Sequence, residues 1–248
     1  MKRAQTLLVS VLLAVSALGA STQATFAAQA EAWSNSDAFS SRCLGFTDTY
    51  PQQLYSLASA QMRTLGYSPV GGAIGPAFTT STFLNNVYPD YAVYVHSHGD
   101  NYNFGSGTDS AFLQDPGTSR CADYTKDAVR STAIKKATAG GPFNLVIMST
   151  CYLGSSIASM PNGFQIAKVK NATRREFYLG YVYSTWDSDS LRFEQAFWSY
   201  INGDSVHRRT AYQAFTYAVS IGGYSAVNSS NPFQPNWWGN PNYDGTPG

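Results

Sequence analysis

Hydrophobic positions along the chain alternate between two periods. Residues 51 to 65 start at Pro51, a favoured first helical position, and place Leu54, Leu57, Ala58, Met62 and Leu65 on one helical face before Gly66 stops the pattern. A Gly-rich passage through Gly71, Gly72 and Gly75 leads to a second predicted helix from about Thr80 to Val87. Tyr91 to Val95 is different: five consecutive β-prone positions with no polar face, the pattern of a strand buried on both sides. A polar loop follows, with a small hairpin predicted around Ala111 to Leu113. A helix from about Lys126 to Ala137 comes next and is stopped by Gly140, Gly141 and Pro142.

Two more continuous apolar runs follow. "FNLVIMSTCYLGSS" ends at Ser149, Thr150 and Cys151, and "EFYLGYVYSTWDSD" ends in polar residues around Asp187 and Asp189. Beyond Asp187 the period becomes helical again. One stripe runs through Leu191, Phe193, Ala196, Phe197, Tyr200 and Ile201. Another runs through Val206, Thr210, Ala211, Ala214, Phe215, Ala218 and Val219. Buried strands alternating with helices predict an α/β domain, a mainly parallel sheet covered on both faces. In such sheets functional groups gather beyond the carboxyl ends of the strands. His98, Cys151 and Asp187 all follow strand ends.

The two ends of the chain stand apart. Residues 1–30 carry Lys2 and Arg3, an apolar run from Leu7 to Ala20, and then small and polar residues, the order of a secretory signal peptide. No later run has the length of a membrane span, so the mature protein is expected to be exported and free of the membrane. Residues 31–221 then form one domain. Residues 222–248, broken by Asn231-Pro232, Pro235-Asn236 and Asn240-Pro241, read as an irregular tail. In that tail, Trp237, Trp238 and Tyr243 either stack on a sugar or pack back on the domain.

Charge removes one class of function. With the leader gone, the 16 basic residues fall to 14 against 15 acidic ones. Basic residues adjoin only in pairs, such as Arg174-Arg175 and Arg208-Arg209, and the chain has no basic excess, so no nucleic-acid footprint is present. Cysteine use fits an oxidising compartment, where three thiols mean one pair and one left over. Cys43 and Cys121 lie in polar, turn-rich segments and are the expected disulfide, which leaves Cys151.

The candidate chemistry centres on His96-Ser97-His98-Gly99-Asp100. Read as His-x-His-x-Asp, it resembles the zinc motif of the metallo-β-lactamase fold and implies a metallohydrolase. However, Asn101 stands where a further His belongs, and His207 is the sole later histidine. The nucleophile reading uses more of the chain. A thiol attacking an acyl carbon needs a histidine to handle the proton and N–H donors to hold the oxyanion. Strands ending in His98-Gly99 and in Cys151 supply both, with the Gly99 and Cys151 N–H groups as the oxyanion hole.

"YAVYVHSHG" and "NLVIMSTCYLGSS" resemble the two catalytic blocks of the caspase-like cysteine peptidases, the group of caspases, legumains, gingipains, clostripain and CHAT domains. Cys151-x-x-Gly154-Ser155 is similar to the Cys-x-x-Gly-Ser of legumains. The segment from Tyr178 onward resembles the strand and paired helices that follow the Cys in gingipain-like and CHAT domains. The resemblance spans roughly residues 50–220. It implies a three-layer α/β/α sandwich with a mainly parallel sheet, and a cysteine endopeptidase with His98 and Cys151 as its dyad. It also implies a peptide or protein substrate, and no cofactor or metal.

In clostripain-like and gingipain-like peptidases a carboxylate selects a basic side chain, and the resemblance offers Asp187 or Asp189 for that role. Arg192 or Arg120 would serve the opposite preference. A second class is a caspase-like domain without catalysis, acting as a binding or toxin-like module. Asp100, Asp109 and Asp115 share one loop but match no calcium-ligand spacing.

Overall fold

The computed structural model describes residues 28–35, 43, 49–68, 70–87, 91–117, 120–138, 143–203, 209–222 and 233–247. In chain order its elements are β1 (Ala30–Ser34), α1 (Tyr50–Leu65), β2 (Val70–Ile74), α2 (Thr80–Asn86), β3 (Ala92–His96), β4 (Gly99–Asn103), β5 (Thr108–Leu113) and β6 (Ala128–Arg130). They continue with α3 (Ser131–Ala137), β7 (Leu145–Ser149), α4 (Met160–Gly163), β8 (Phe177–Tyr181), α5 (Asp187–Asn202), α6 (Ala211–Gly222) and β9 (Pro235–Gly239).

Six strands form one sheet in the order β2-β1-β3-β7-β8-β9, parallel except for β9, and β4-β5-β6 form a separate antiparallel sheet. Alternation along each strand divides the core in two. Ala92 and Tyr94 of β3, with Leu145 and Ile147 of β7, face α1, α5 and α6. Val93 and Val95, with Val146 and Met148, face Phe83 of α2, Ile134 of α3, Met160 of α4 and Phe112 of β5. The central strands are buried at every position, as the unbroken apolar runs require.

Three strands of the main sheet lie where the sequence pattern did not predict them. β1 begins inside the stretch assigned to the leader: Ala28 O accepts from Ser68 N and Gln29 O from Tyr91 N. Ala30 pairs with Val70 on one side and Ala92 on the other. Ala28 and Gln29 thus belong to the folded domain, and cleavage after Ala30 would remove the first residue of an interior strand. β2 is the Gly-rich passage at a sheet edge. β9 corrects the irregular tail. Pro235 starts the edge strand, where its missing N–H costs no ladder bond. Trp237 stacks on Phe177 and Trp238 packs on Tyr178, one on each face.

Helix boundaries shift for local reasons. The expected helix from Lys126 starts only at Ser131, because Ala128 to Arg130 are drawn into the ladder with Ala111 to Leu113. α6 starts at Ala211 rather than near Val206. There Thr210 Oγ1 accepts from Gln213 N, and Gln213 Oε1 accepts from Thr210 N, a reciprocal cap. His207 lies outside the described residues. Cys43 and Cys121 are disulfide-bonded with a Cα–Cα distance of 5.5 Å, as the cysteine pattern predicts.

Candidate active site

Neighbouring β3 and β7 end in register, His96 opposite Ser149, and each chain then turns out of the sheet. His98 is half-buried just past β3, and Cys151 is half-buried just past β7. Gly99 brings the two turns together. A Cβ at that position would lie 2.6 Å from Cys151 O and 2.8 Å from the Thr150 Cβ, so any larger residue would push the turns apart. The β4–β5 register sets Gly99 opposite Phe112. Because Leu113 N donates to His98 O, Gly99 falls on a non-hydrogen-bonded pair and its N–H points away from β5.

The Cys151 turn is held from three sides. Tyr152 takes a left-handed conformation at φ 61°, uncommon for a bulky residue and costing about 1 kcal/mol or more. Tyr152 N donates to Tyr183 O, Leu153 N to Cys151 O and Gly154 N to Tyr181 O. Tyr178 Oη donates to Leu153 O at 2.8 Å and Asn236 Nδ2 to Gly154 O at 2.9 Å, so β8 and β9 both anchor the turn. A Cβ on Gly154 would lie 2.3 Å from the Gly180 carbonyl carbon, which explains the glycine of the Cys-x-x-Gly pattern.

The thiol is electrostatically disfavoured as an anion. Burial pushes the Cys151 thiol up from its ordinary value, and Asp187 and Asp100 push it further. The Thr185 N–H, 3.4 Å from Sγ, pulls the other way. Cys151 therefore rests as a neutral thiol at neutral pH and ionises only if a nearby base takes its proton.

His96 has a different environment. It is 1% exposed, with Nδ1 3.1 Å from Ser34 Oγ and Nε2 3.1 Å from Asp187 Oδ1. Both ring nitrogens are engaged, and its parity along β3 turns it toward α1 and α5. The two histidines of the His-x-His-x-Asp run therefore sit in different surroundings. Among the described residues no three His, Cys, Asp or Glu side chains are grouped to hold an ion.

The same contact bears on Asp187. It opens the first turn of α5, and its Oδ1 is engaged by His96. Asp189 lies in that turn as well, where a negative charge suits the helix N-terminus. Arg120 is bound to buried Asp127, Nη2 to Oδ1 at 2.6 Å, and Arg192 is exposed on α5.

Several residues near the site escaped the sequence reading. Thr185 contributes only a backbone N–H, which no side-chain pattern reveals. Glu194 is wholly buried beneath the strand ends, its carboxylate accepting from Tyr94 Oη at 2.8 Å and Tyr181 Oη at 2.9 Å. It was detectable in principle: Leu191, Glu194, Trp198 and Ile201 share one helical face, and a carboxylate on that face must be buried. Tyr102 and Tyr124, which flank His98, sit in loop-like sequence that carries no period.

A six-stranded, mainly parallel sheet between helical layers, with a His-Gly turn and a Cys turn meeting beyond adjacent strands, is the caspase-like three-layer α/β/α sandwich. Solved structures carry the same likeness. The chain is similar to the Arg-specific cysteine proteinase gingipain R, with a TM-score of 0.55, 11% identity, and coverage of 87% of this chain and 46% of that one. It is also similar to the complex of Porphyromonas gingivalis RgpB pro- and mature domains, with a TM-score of 0.52, 9% identity, and coverage of 87% and 48%. The chain thus spans about half the length of each. No protein-family model matches it, and neither does any curated protein. The first of these neighbours is a cysteine proteinase, and the fold alone is what the likeness shows. Among the described residues no helix is long and apolar enough to cross a membrane.

Proposed function

We propose that this protein is a secreted cysteine endopeptidase that works through His98 and Cys151. The observation that carries the reading is the contact at Gly99, where the turn after β3 closes on the carbonyl of Cys151. In the proposed reaction Cys151 Sγ attacks the scissile carbonyl carbon while its proton passes to the His98 imidazole. The Gly99 and Cys151 N–H groups hold the oxyanion, His98 returns the proton to the departing amine, and water then releases the acyl group with Cys151 regenerated. The raised thiol pKa fits a dyad in which the proton moves on attack, not one resting as a thiolate-imidazolium pair. The disulfide and the leader support export.

The test is turnover of a mixed fluorogenic peptide library by wild type and Cys151→Ala, with and without a chelator, alongside labelling by a thiol-directed active-site probe. The expected result is cleavage and labelling that vanish in Cys151→Ala and ignore the chelator. Absence of both in a folded wild-type protein would favour the binding-module reading.

A further inference from the structure

A cavity of about 560 Å³ opens beside His98, lined by His98, Tyr102, Leu113, Ala122, Asp123 and Tyr124 among others. The rings of Tyr102 and Tyr124 stack with centroids 5.1 Å apart and planes 14° apart, and Phe104 meets Tyr102 edge-on at 5.0 Å. One wall comes from the β4–β5 hairpin and the other from residues 121–127. That second wall is fastened by the Cys43–Cys121 disulfide, by the Arg120–Asp127 pair and by Gln114 N donating to Asp127 O. The cavity is therefore preformed.

Its one charged lining group is already in use. Asp123 Oδ1 accepts from Thr125 N at 2.9 Å, from Lys126 N at 3.1 Å and from Thr125 Oγ1, which fastens its own turn. Its Oδ2 lies 3.8 Å from Arg120. A basic side chain entering here would meet a carboxylate that already has partners. An acidic one would meet the negative charge of Asp123 with no new donor. An aromatic ring loses nothing by desolvation and gains the faces or edges of Tyr102 and Tyr124.

The geometry points to this cavity as the pocket for an aromatic substrate side chain, the one that follows the cleaved bond. The placement comes from His98, which sits on the cavity wall while Cys151 does not. The group that protonates the departing amine stands on the leaving-group side. The inference rests on the dyad reading and deepens it from peptidase to peptidase with an aromatic preference beyond the scissile bond.

The experiment uses fluorogenic peptides of equal length, differing only at the residue after the cleaved bond. Wild type is expected to cleave the Phe and Tyr peptides about tenfold faster in kcat/KM than the Ala, Lys or Asp peptides. Tyr124→Phe should keep that ratio and Tyr124→Ala should bring it toward one. A preference for a charged residue at this position would overturn the proposal. So would a Tyr124→Ala variant that slows every peptide alike.

Binding gives an arm independent of turnover. N-acetyl-phenylalaninamide, titrated into Cys151→Ala, should shift the ring resonances of Tyr102 and Tyr124 saturably, and N-acetyl-lysinamide should not. A protein without turnover that shows these shifts would lose the dyad and keep the pocket. A protein with turnover but without the shifts would keep the dyad and lose the pocket.

Discussion

His96 and His98 leave the same strand two residues apart, yet the fold treats them in opposite ways. His96 is sealed under the sheet's end with Ser34 on one nitrogen and Asp187 on the other. His98 stands past the last paired residue, half-buried on the wall of a cavity. The pattern His-x-His would treat them as one pair of ligands, but Ser97 interrupts the strand between them. Ser97 Oγ bonds back to Leu113 O at 2.6 Å, which bends the chain from the main sheet into the β4–β5 hairpin. A histidine's role here is set by what its two nitrogens meet, and the buried one meets Ser34 and Asp187.

The largest expected effect follows from that division. His98→Ala should lower kcat/KM by about 10²–10⁴-fold, the range for loss of a positioned proton donor, with a smaller change in melting midpoint than His96→Ala causes. His96→Ala should do the reverse. Removing it takes a hydrogen-bond partner from a buried hydroxyl and from a carboxylate, which costs about 1–3 kcal/mol in urea unfolding, while the variant that stays folded keeps most of its turnover. If the two variants exchanged these phenotypes, the assignment of roles would be reversed.

How far the sequence carried this division is instructive. Unbroken apolar runs located β3, β7 and β8, because strands covered on both faces have no polar side to show. That His98-Gly99 and Cys151 each follow a strand end was legible in the chain, and the close approach at Gly99 joins their two turns. β1 was hidden because Glu31 and Ser34 break its apolar run and its first residue lies in the stretch assigned to the leader, and Gly71 and Gly72 disguised β2. The His96–Asp187 bond joins residues 91 positions apart, and only the packing of α5 on the sheet makes it. The aromatic cavity was invisible for the same reason: Tyr102 and Tyr124 meet through a hairpin and a disulfide, not through any local period.

Glu194 offers a finer probe of the sealed side, where it faces Tyr94, Tyr181 and His96. Burial raises its carboxyl above the ordinary glutamate value, and the hydroxyls around it and His96 offset this only in part. The folded chain thus holds a proton that the unfolded chain has already released. Its contribution to stability is complete below the unfolded value and declines as pH rises toward the folded one. Glu194→Gln, which keeps the shape and an acceptor for the tyrosines, should flatten that decline in urea titrations across mildly acidic pH. A slope that survives the substitution would assign the proton to another group.

The smallest effect concerns Asp100, the last residue of the His-x-His-x-Asp run, on the open side. Its Oδ1 accepts from its neighbour Asn101 N at 2.7 Å, and its charge bears on Cys151 and on the half-buried Tyr124, both of whose pKa values it raises. Removing that charge leaves the burial of Cys151 unchanged, since burial is the larger cause. Asp100→Asn should therefore move the pH midpoint of iodoacetamide alkylation at Cys151 downward but keep it above that of an exposed cysteine. A metal ligand would behave differently: alkylation of the wild-type thiol would respond to added zinc, and the substitution would abolish that response. A downward shift in zinc-free buffer, with no zinc response in either protein, makes Asp100 a charge that tunes the nucleophile.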